Sequence, residues 1–301
     1  MHSVESTSSR FTRESLSRAA SRTPPHVWFV IAALFHYLGP AFAVLLFPSV
    51  GVLGVAWLRI ASAAAILGPI TKPWRAISSA KGPDLALLLA LGACLGAMNC
   101  AFYLALDRLP MSLVAAIEFV GVIAVALVGL RSWRNYLALL VAIAGVVLLI
   151  DVTWSNDPAG LAWALGNGVL FVVYIVLGHR AAQNGPGQGI GRLGAAMMIA
   201  FVVVTPLAIA EAIHVFGAPI LIAAGIGVGI CSSVIPYVCD QLAMARLPRA
   251  SFALMLSILP AMAAMVGAVI LAQRPSTSDL AGIGLVMAGV ALHRPSPATD
   301  R

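Results

Sequence analysis

Polar residues along this chain fall almost entirely between ten apolar blocks, at roughly 27–47, 51–70, 84–106, 111–130, 134–150, 158–179, 193–213, 218–241, 249–272 and 279–293. Most approach the roughly 20 residues that a helix needs to cross a hydrocarbon layer. The fifth and tenth run short, and they hold corresponding places in the two halves. Connections are brief and carry turn formers, as at Pro48-Ser49, Lys72-Pro73, Asn156-Asp157-Pro158 and Arg274-Pro275. The pattern predicts an all-α integral membrane protein with ten transmembrane helices, divided into a first five-helix unit at 27–150 and a second at 158–293. Residues 1–26, rich in Ser and Arg, are expected to be a disordered tail, and 294–301 a second short tail. The first block is a full span rather than the short apolar core of a signal peptide, so it reads as an uncleaved helix.

Composition removes the soluble alternatives. Of the 301 residues 61% are hydrophobic and 10% charged, against about 25% charged in a soluble domain. The net charge of +7 does not signal nucleic acid, because no basic stripe with interleaved aromatics accompanies it. It signals orientation instead. With the N-terminus inside, fifteen of the 18 lysines and arginines fall on the cytoplasmic side. Only Arg108 and Arg274 lie outside, and Arg59 lies within a span. The positive-inside rule then predicts both termini in the cytoplasm. Cys94, Cys100, Cys231 and Cys239 all sit in apolar blocks and read as buried thiols, not as a disulfide framework or a metal site.

A repeat gives the two units a geometry. LALDRLP at 104–110 returns as LAMARLP at 242–248, and AGVVLL at 144–149 meets AGVAL at 288–292. Arg108 is placed outside and its counterpart Arg246 inside, so the two units are expected to be inserted upside-down relative to each other. Inverted repeats of this kind frame a substrate site near the membrane midplane.

Glu118 stands alone in the fourth block, and a carboxylate at that depth marks a functional site by default. At about 1.5 Å per residue, it lies some 10 Å below the outer end of its span, and Arg59 about 12 Å below the end of the second. Asn99 and His36 fall in the same layer. An Arg59–Glu118 pair is the expected way to bury both charges. It would either hold two helices together or handle protons and substrate as the site dries and rehydrates. His36 joins Arg59 and Glu118 as a candidate for proton coupling. Candidate substrate-binding residues are Asn99, Tyr103, Asn167, Tyr174, Ser233, Tyr237, Gln241 and Ser257. Pro236 is expected to loosen the eighth helix and free backbone carbonyls toward a cavity. Gly92-x-x-x-Gly96 and Gly225-x-x-x-Gly229, on equivalent helices, read as close-packing motifs. No HExxH, GxSxG, Walker loop, metal-ligand set or cofactor motif occurs, which points away from an enzyme and leaves ion or substrate gradients as the energy source.

FYLALDRLPMSLVAAIEFVGVIAVAL (102–127), SSVIPYVCDQLAMARLPRASFALMLSILPAMAAMVGAVIL (232–271) and LFPSVGVLGVAWLRIASAAAIL (46–67) resemble the threonine/homoserine exporter branch of the drug/metabolite transporter superfamily, with its EamA-type repeats. The resemblance implies two inverted five-helix repeats and proton-linked efflux of amino acids or related metabolites from a bacterial inner membrane. Arg59, Glu118, Ser233, Pro236 and Tyr237 match patterned positions. Three positions depart from it. Leu259 stands before Pro260 where a Glu is usual, Ala272-Gln273 replaces Gly-Glu, and Val44 replaces a basic residue. The expected partners are a small-molecule substrate, protons and lipid, with the chain as a monomer or homodimer. A broader drug or metabolite exporter, or an importer of the same fold, remains open. So does a non-transporting sensor or scaffold, although such a protein would be expected to carry an accessory domain.

Overall fold

A computed structural model of the chain describes residues 24–129, 132–151, 157–182, 186–236, 239 and 258–292. Helices account for nearly all of them: α1 (Pro25–Val50), α2 (Val52–Thr71), a short α3 (Pro73–Ser79), α4 (Pro83–Leu106), α5 (Met111–Gly129), α6 (Trp133–Asp151), α7 (Pro158–Ala182), α8 (Pro186–Ala212), α9 (Pro219–Gly229), α10 (Leu259–Ile270) and α11 (Thr277–Leu292). A 3₁₀ turn at Ile213–Gly217 extends α8, and a π turn at Ile230–Val234 extends α9. Proline opens α1, α3, α4 and α9, where its missing N–H costs nothing and its fixed φ suits the helix. Gly51, at φ 87°, lets the chain reverse between α1 and α2.

Among the described residues, five helices are long and apolar enough to cross a membrane: His26–Val50, Val52–Thr71, Pro83–Leu106, Pro158–Gly178 and Gly191–Gly217. Five shorter apolar helices occupy the other predicted blocks. Small and large apolar residues fill the interior, and large apolar side chains also cover the outside. Ala41, Ala115, Ala138, Ala142, Ala200 and Ala263 are fully buried, while Leu45, Ile70, Leu140, Val202, Leu207, Ile220 and Val269 are exposed. Small residues let backbones approach where lipid offers no hydrophobic drive, and large apolar side chains face outward.

Packing partners come in matched sets. The contacts of α4 with α7 and α8 are mirrored by those of α9 with α1 and α2, and α5 on α7 is mirrored by α10 on α1. The glycine motifs follow the same rule. A Cβ on Gly92 would come within 2.5 Å of Ile199 Cβ, placing α4 hard against α8. One on Gly225 would meet Leu58 Cδ1 at 2.7 Å, placing α9 hard against α2.

Two helix pairs are self-matched and antiparallel. At one end of the α2–α8 pair, Glu211 Oε2 accepts from the Gly54 N–H at 3.0 Å, and at the other end Thr71 lies directly on Gly194. Moving 140 positions along the chain turns Gly54 into Gly194 and Thr71 into Glu211, so one contact maps onto the other. Between them the Trp57 Nε1–H donates to Thr205 Oγ1 at 2.8 Å. In the α6–α11 pair a Cβ on Gly145 would stand 2.6 Å from Gly282 O, and one on Gly289 would stand 2.7 Å from Ala138 O. Here a step of 144 turns Ala138 into Gly282 and Gly145 into Gly289.

The turn before α7 is pinned as well. Asp157 Oδ1 accepts from the Gly160 N–H at 2.8 Å, and Asp157 Oδ2 lies 3.1 Å from Arg108 Nη1. The Gly160 amide first, and the Arg108 guanidinium after it, hold the Asp157 carboxyl below its usual range.

Neighbouring glycines on α11 give a direct check of this packing. A Cβ on Gly282 would press on the Gly145 carbonyl at 2.8 Å, whereas one on Gly284 meets nothing within 4 Å. Gly282→Ala should cost about 1–3 kcal/mol of overpacking and lower the melting temperature of the purified protein. Gly284→Ala should leave it unchanged.

Candidate functional site

A cavity of about 310 Å³ opens where α1, α2, α4, α5, α7, α8 and α10 converge. That volume is at the lower end of the range for small-molecule sites. Its polar wall carries His36, Arg59, Asn99, Glu118, Asn167 and Tyr174, all six expected from sequence. Met98, Phe102, Phe119, Phe171, Leu193 and Leu259 give it a largely apolar lining. The Phe171 and Tyr174 rings lie nearly parallel, at 19° and 6.4 Å between centroids.

Arg59 and Glu118 share this cavity, but they do not form the expected pair. The two ion pairs among the described residues are Arg108–Asp157 and Arg192–Asp84. Glu118 Oε1 instead accepts from Asn167 Nδ2 at 2.6 Å. Arg59 Nε donates to Ser233 Oγ at 3.3 Å, and Arg59 Nη2 donates to the Ser232 carbonyl at 3.2 Å. Its Cζ also stands 5.4 Å from the centroid of the Tyr103 ring, within cation–π range. Each charge on α2 and α5 is thus satisfied by a polar group on α9 or α7. The physical reason is that equal depth does not make two helices adjacent, and neutral hydrogen-bond donors and acceptors can hold a buried charge without cancelling it.

The Ser232 carbonyl is available because of Pro236. In a regular helix the N–H of residue 236 would bond to the carbonyl of 232, but proline has no N–H and its ring crowds that oxygen. The backbone answers with the π turn, in which the Ile235 N–H donates to Ile230 O. Gly39 on α1 lets this widened turn press in, since a Cβ there would lie 2.6 Å from Ser232 N. The expected loosening of the eighth helix therefore resolves to one carbonyl and the cation it receives.

The other predicted residues sort by position. Tyr103 is fully buried, with its ring 5.7 Å from Phe47 and 5.8 Å from Phe102, and it supports Arg59 without lining the cavity. Ser233 is buried and likewise holds Arg59. Asn99 lines the cavity while its Nδ2 donates back to Leu95 O at 2.8 Å. Tyr237, Gln241 and Ser257, with Asp240 and Arg246, lie outside the described residues. Tyr37, Pro40 and Phe171 line the cavity although sequence gave no reason to single them out. Glu211 was also missed. Near the end of a span it reads as interfacial, yet it caps the N-terminus of α2, the helix that carries Arg59.

Comparison with known proteins decides the family. Residues 158–293 match the model of the EamA-like transporter family. Threonine/homoserine exporter RhtA of Escherichia coli (strain K12) is 36% identical over 273 residues, covering 87% of this chain and 90% of that protein. RhtA of Salmonella typhimurium (strain SL1344) is 33% identical over 256 residues, covering 82% and 85%. The chain belongs to the EamA-like transporter family, in its RhtA branch. A solved crystal structure is similar at a TM-score of 0.56 and 18% identity, over 89% of this chain and 96% of its own, and that likeness speaks to the fold alone. This EamA-family chain is thus a multi-pass membrane protein, and six polar residues among those described line one cavity.

Pro236→Ala tests how the site is assembled. It restores the 236 N–H, which should recapture the Ser232 carbonyl and take a charged hydrogen bond of about 1.5–3 kcal/mol from Arg59. Hydrogen exchange across 230–236 should slow, and affinity for any ligand that uses Arg59 should fall roughly tenfold or more.

Proposed function

We propose that the chain is a secondary exporter of small zwitterionic metabolites, amino acids such as threonine and homoserine, working by proton-coupled alternating access. The observation that carries this reading is the cavity itself, in which a guanidinium and a carboxylate face a common space without neutralising each other. Such an arrangement suits a ligand that brings one charge of each sign, with its carboxylate toward Arg59 and its ammonium toward Glu118. The names of the RhtA relatives point to the same substrate class.

The transport cycle rests on two inverted five-helix repeats, α1–α6 and α7–α11, counted without the short α3. Three observations support this. The packing map keeps its form when the two sets are exchanged. The self-matched pairs α2–α8 and α6–α11 are antiparallel, as a two-fold axis lying in the membrane plane requires. An odd number of crossings per unit also starts the second unit on the opposite side. Ten crossings, with both termini in the cytoplasm of a bacterial inner membrane, then accommodate the one-sided distribution of Lys and Arg. Rocking of one repeat against the other would expose Glu118 to either side in turn, where it exchanges a proton for substrate.

The test is export driven by a pH gradient in proteoliposomes. Glu118→Gln, folded and inserted, should abolish that export. Undiminished export by the variant would remove Glu118 from the mechanism.

A further inference from the structure

Asn167 carries an unused acceptor. Its side chain is fully buried at the cavity wall, its Nδ2 donates to Glu118 Oε1 at 2.6 Å, and its Oδ1 has no hydrogen-bond partner among the described residues. The orientation of the amide follows from Glu118. An ionised carboxylate only accepts hydrogen bonds, so Asn167 must present its NH₂ group and leave the carbonyl oxygen over. A buried amide oxygen left unpaired is costly, and a ligand N–H at this wall would satisfy it.

Resting on the exporter reading above, we propose that Glu118 and Asn167 together form a subsite for a primary ammonium group, and that a proton on Glu118 dismantles it. With Glu118 ionised, the pair offers a carboxylate oxygen and an amide oxygen, two acceptors suited to an ammonium with three donors. Once protonated, Glu118 has an O–H that needs an acceptor, and Asn167 Oδ1, unpartnered among the described residues, can supply one. The amide turns over to take it, and the NH₂ group then occupies the place where the ammonium oxygen partner had been. Charge and acceptors are lost in one step, so proton and substrate exclude each other. The other titratable or charged groups lining the cavity are His36 and Tyr37 on α1, Arg59 on α2 and Tyr174 on α7.

The subsite requires an unacylated amine. In counterflow of labelled threonine by the wild-type protein in proteoliposomes, unlabelled threonine should compete, and N-acetylthreonine should compete about 10- to 100-fold less well, the value of a charged hydrogen bond. Asn167→Leu, checked for a monodisperse and inserted protein, should shrink that ratio by about 2- to 10-fold, the value of one neutral hydrogen bond. Acidifying the substrate side should weaken threonine in the wild type, and Glu118→Gln, which mimics the protonated acid, should exchange threonine poorly at every pH. Equal competition by N-acetylthreonine in the wild type overturns the subsite even if it never proves possible to fold the Asn167 variant. An unchanged ratio in a folded Asn167→Leu, or threonine exchange by a folded Glu118→Gln as strong as in the wild type, overturns it too. Failure of every amino acid to exchange overturns the exporter reading and this assignment with it.

Discussion

Two opposite charges half-buried in one apolar bundle ordinarily collapse onto each other, and this structure depends on their being kept apart. Taking a carboxylate and a guanidinium out of water costs several kcal/mol each unless the lost hydration is replaced. Direct pairing would replace it at the expense of the site, because a closed ion pair has little left to offer a ligand. Here each charge is satisfied separately by groups of moderate strength: the Asn167 amide for Glu118, and the Ser232 carbonyl, Ser233 hydroxyl and Tyr103 ring for Arg59. Both arrangements hold their charge while leaving an opposite partner room to enter.

Those supports come from other helices, which ties each charge to how the helices sit relative to one another. Arg59 and Glu118 sit on α2 and α5, whereas Ser232, Ser233 and Asn167 sit on the π turn and α7. Movement of one set against the other would change the hydrogen bonding of each charge directly. The antiparallel contacts supply a frame for such movement. Glu211 against Gly54 and Thr71 against Gly194 close opposite ends of the α2–α8 pair. Loosening one end while the other stays packed is the motion that the proposed alternating access would use.

Much of this was legible in the sequence, for reasons that particular residues make plain. Glu118 and Arg59 stand out because charge is so rare in long apolar blocks, and helical rise alone places them, with Asn99 and His36, in one layer. The cavity contains all four. Pro236 announces a disturbed helix through its own covalent structure. What the sequence could not supply is which way each face turns and which helices are neighbours. Depth therefore suggested an Arg59–Glu118 pair that the bundle does not make, and Tyr103 looked like a cavity residue when it is a floor beneath Arg59. Tyr37, Phe171 and Leu193 are ordinary in an apolar block until packing turns them inward. Glu211 failed to stand out because acids near span ends are usually solvated, and nothing local reveals that α2 begins beside it.

The central claim is that Glu118 is held ready to exchange a proton for substrate instead of being neutralised by Arg59. The most direct measurement is proton release on ligand binding, with purified protein in weakly buffered solution titrated with threonine or homoserine near the midpoint of the Glu118 titration. The account predicts release of up to about one proton per ligand bound, with the release absent from Glu118→Gln. Binding that releases no proton at any pH, or release that persists unchanged in the variant, would contradict it.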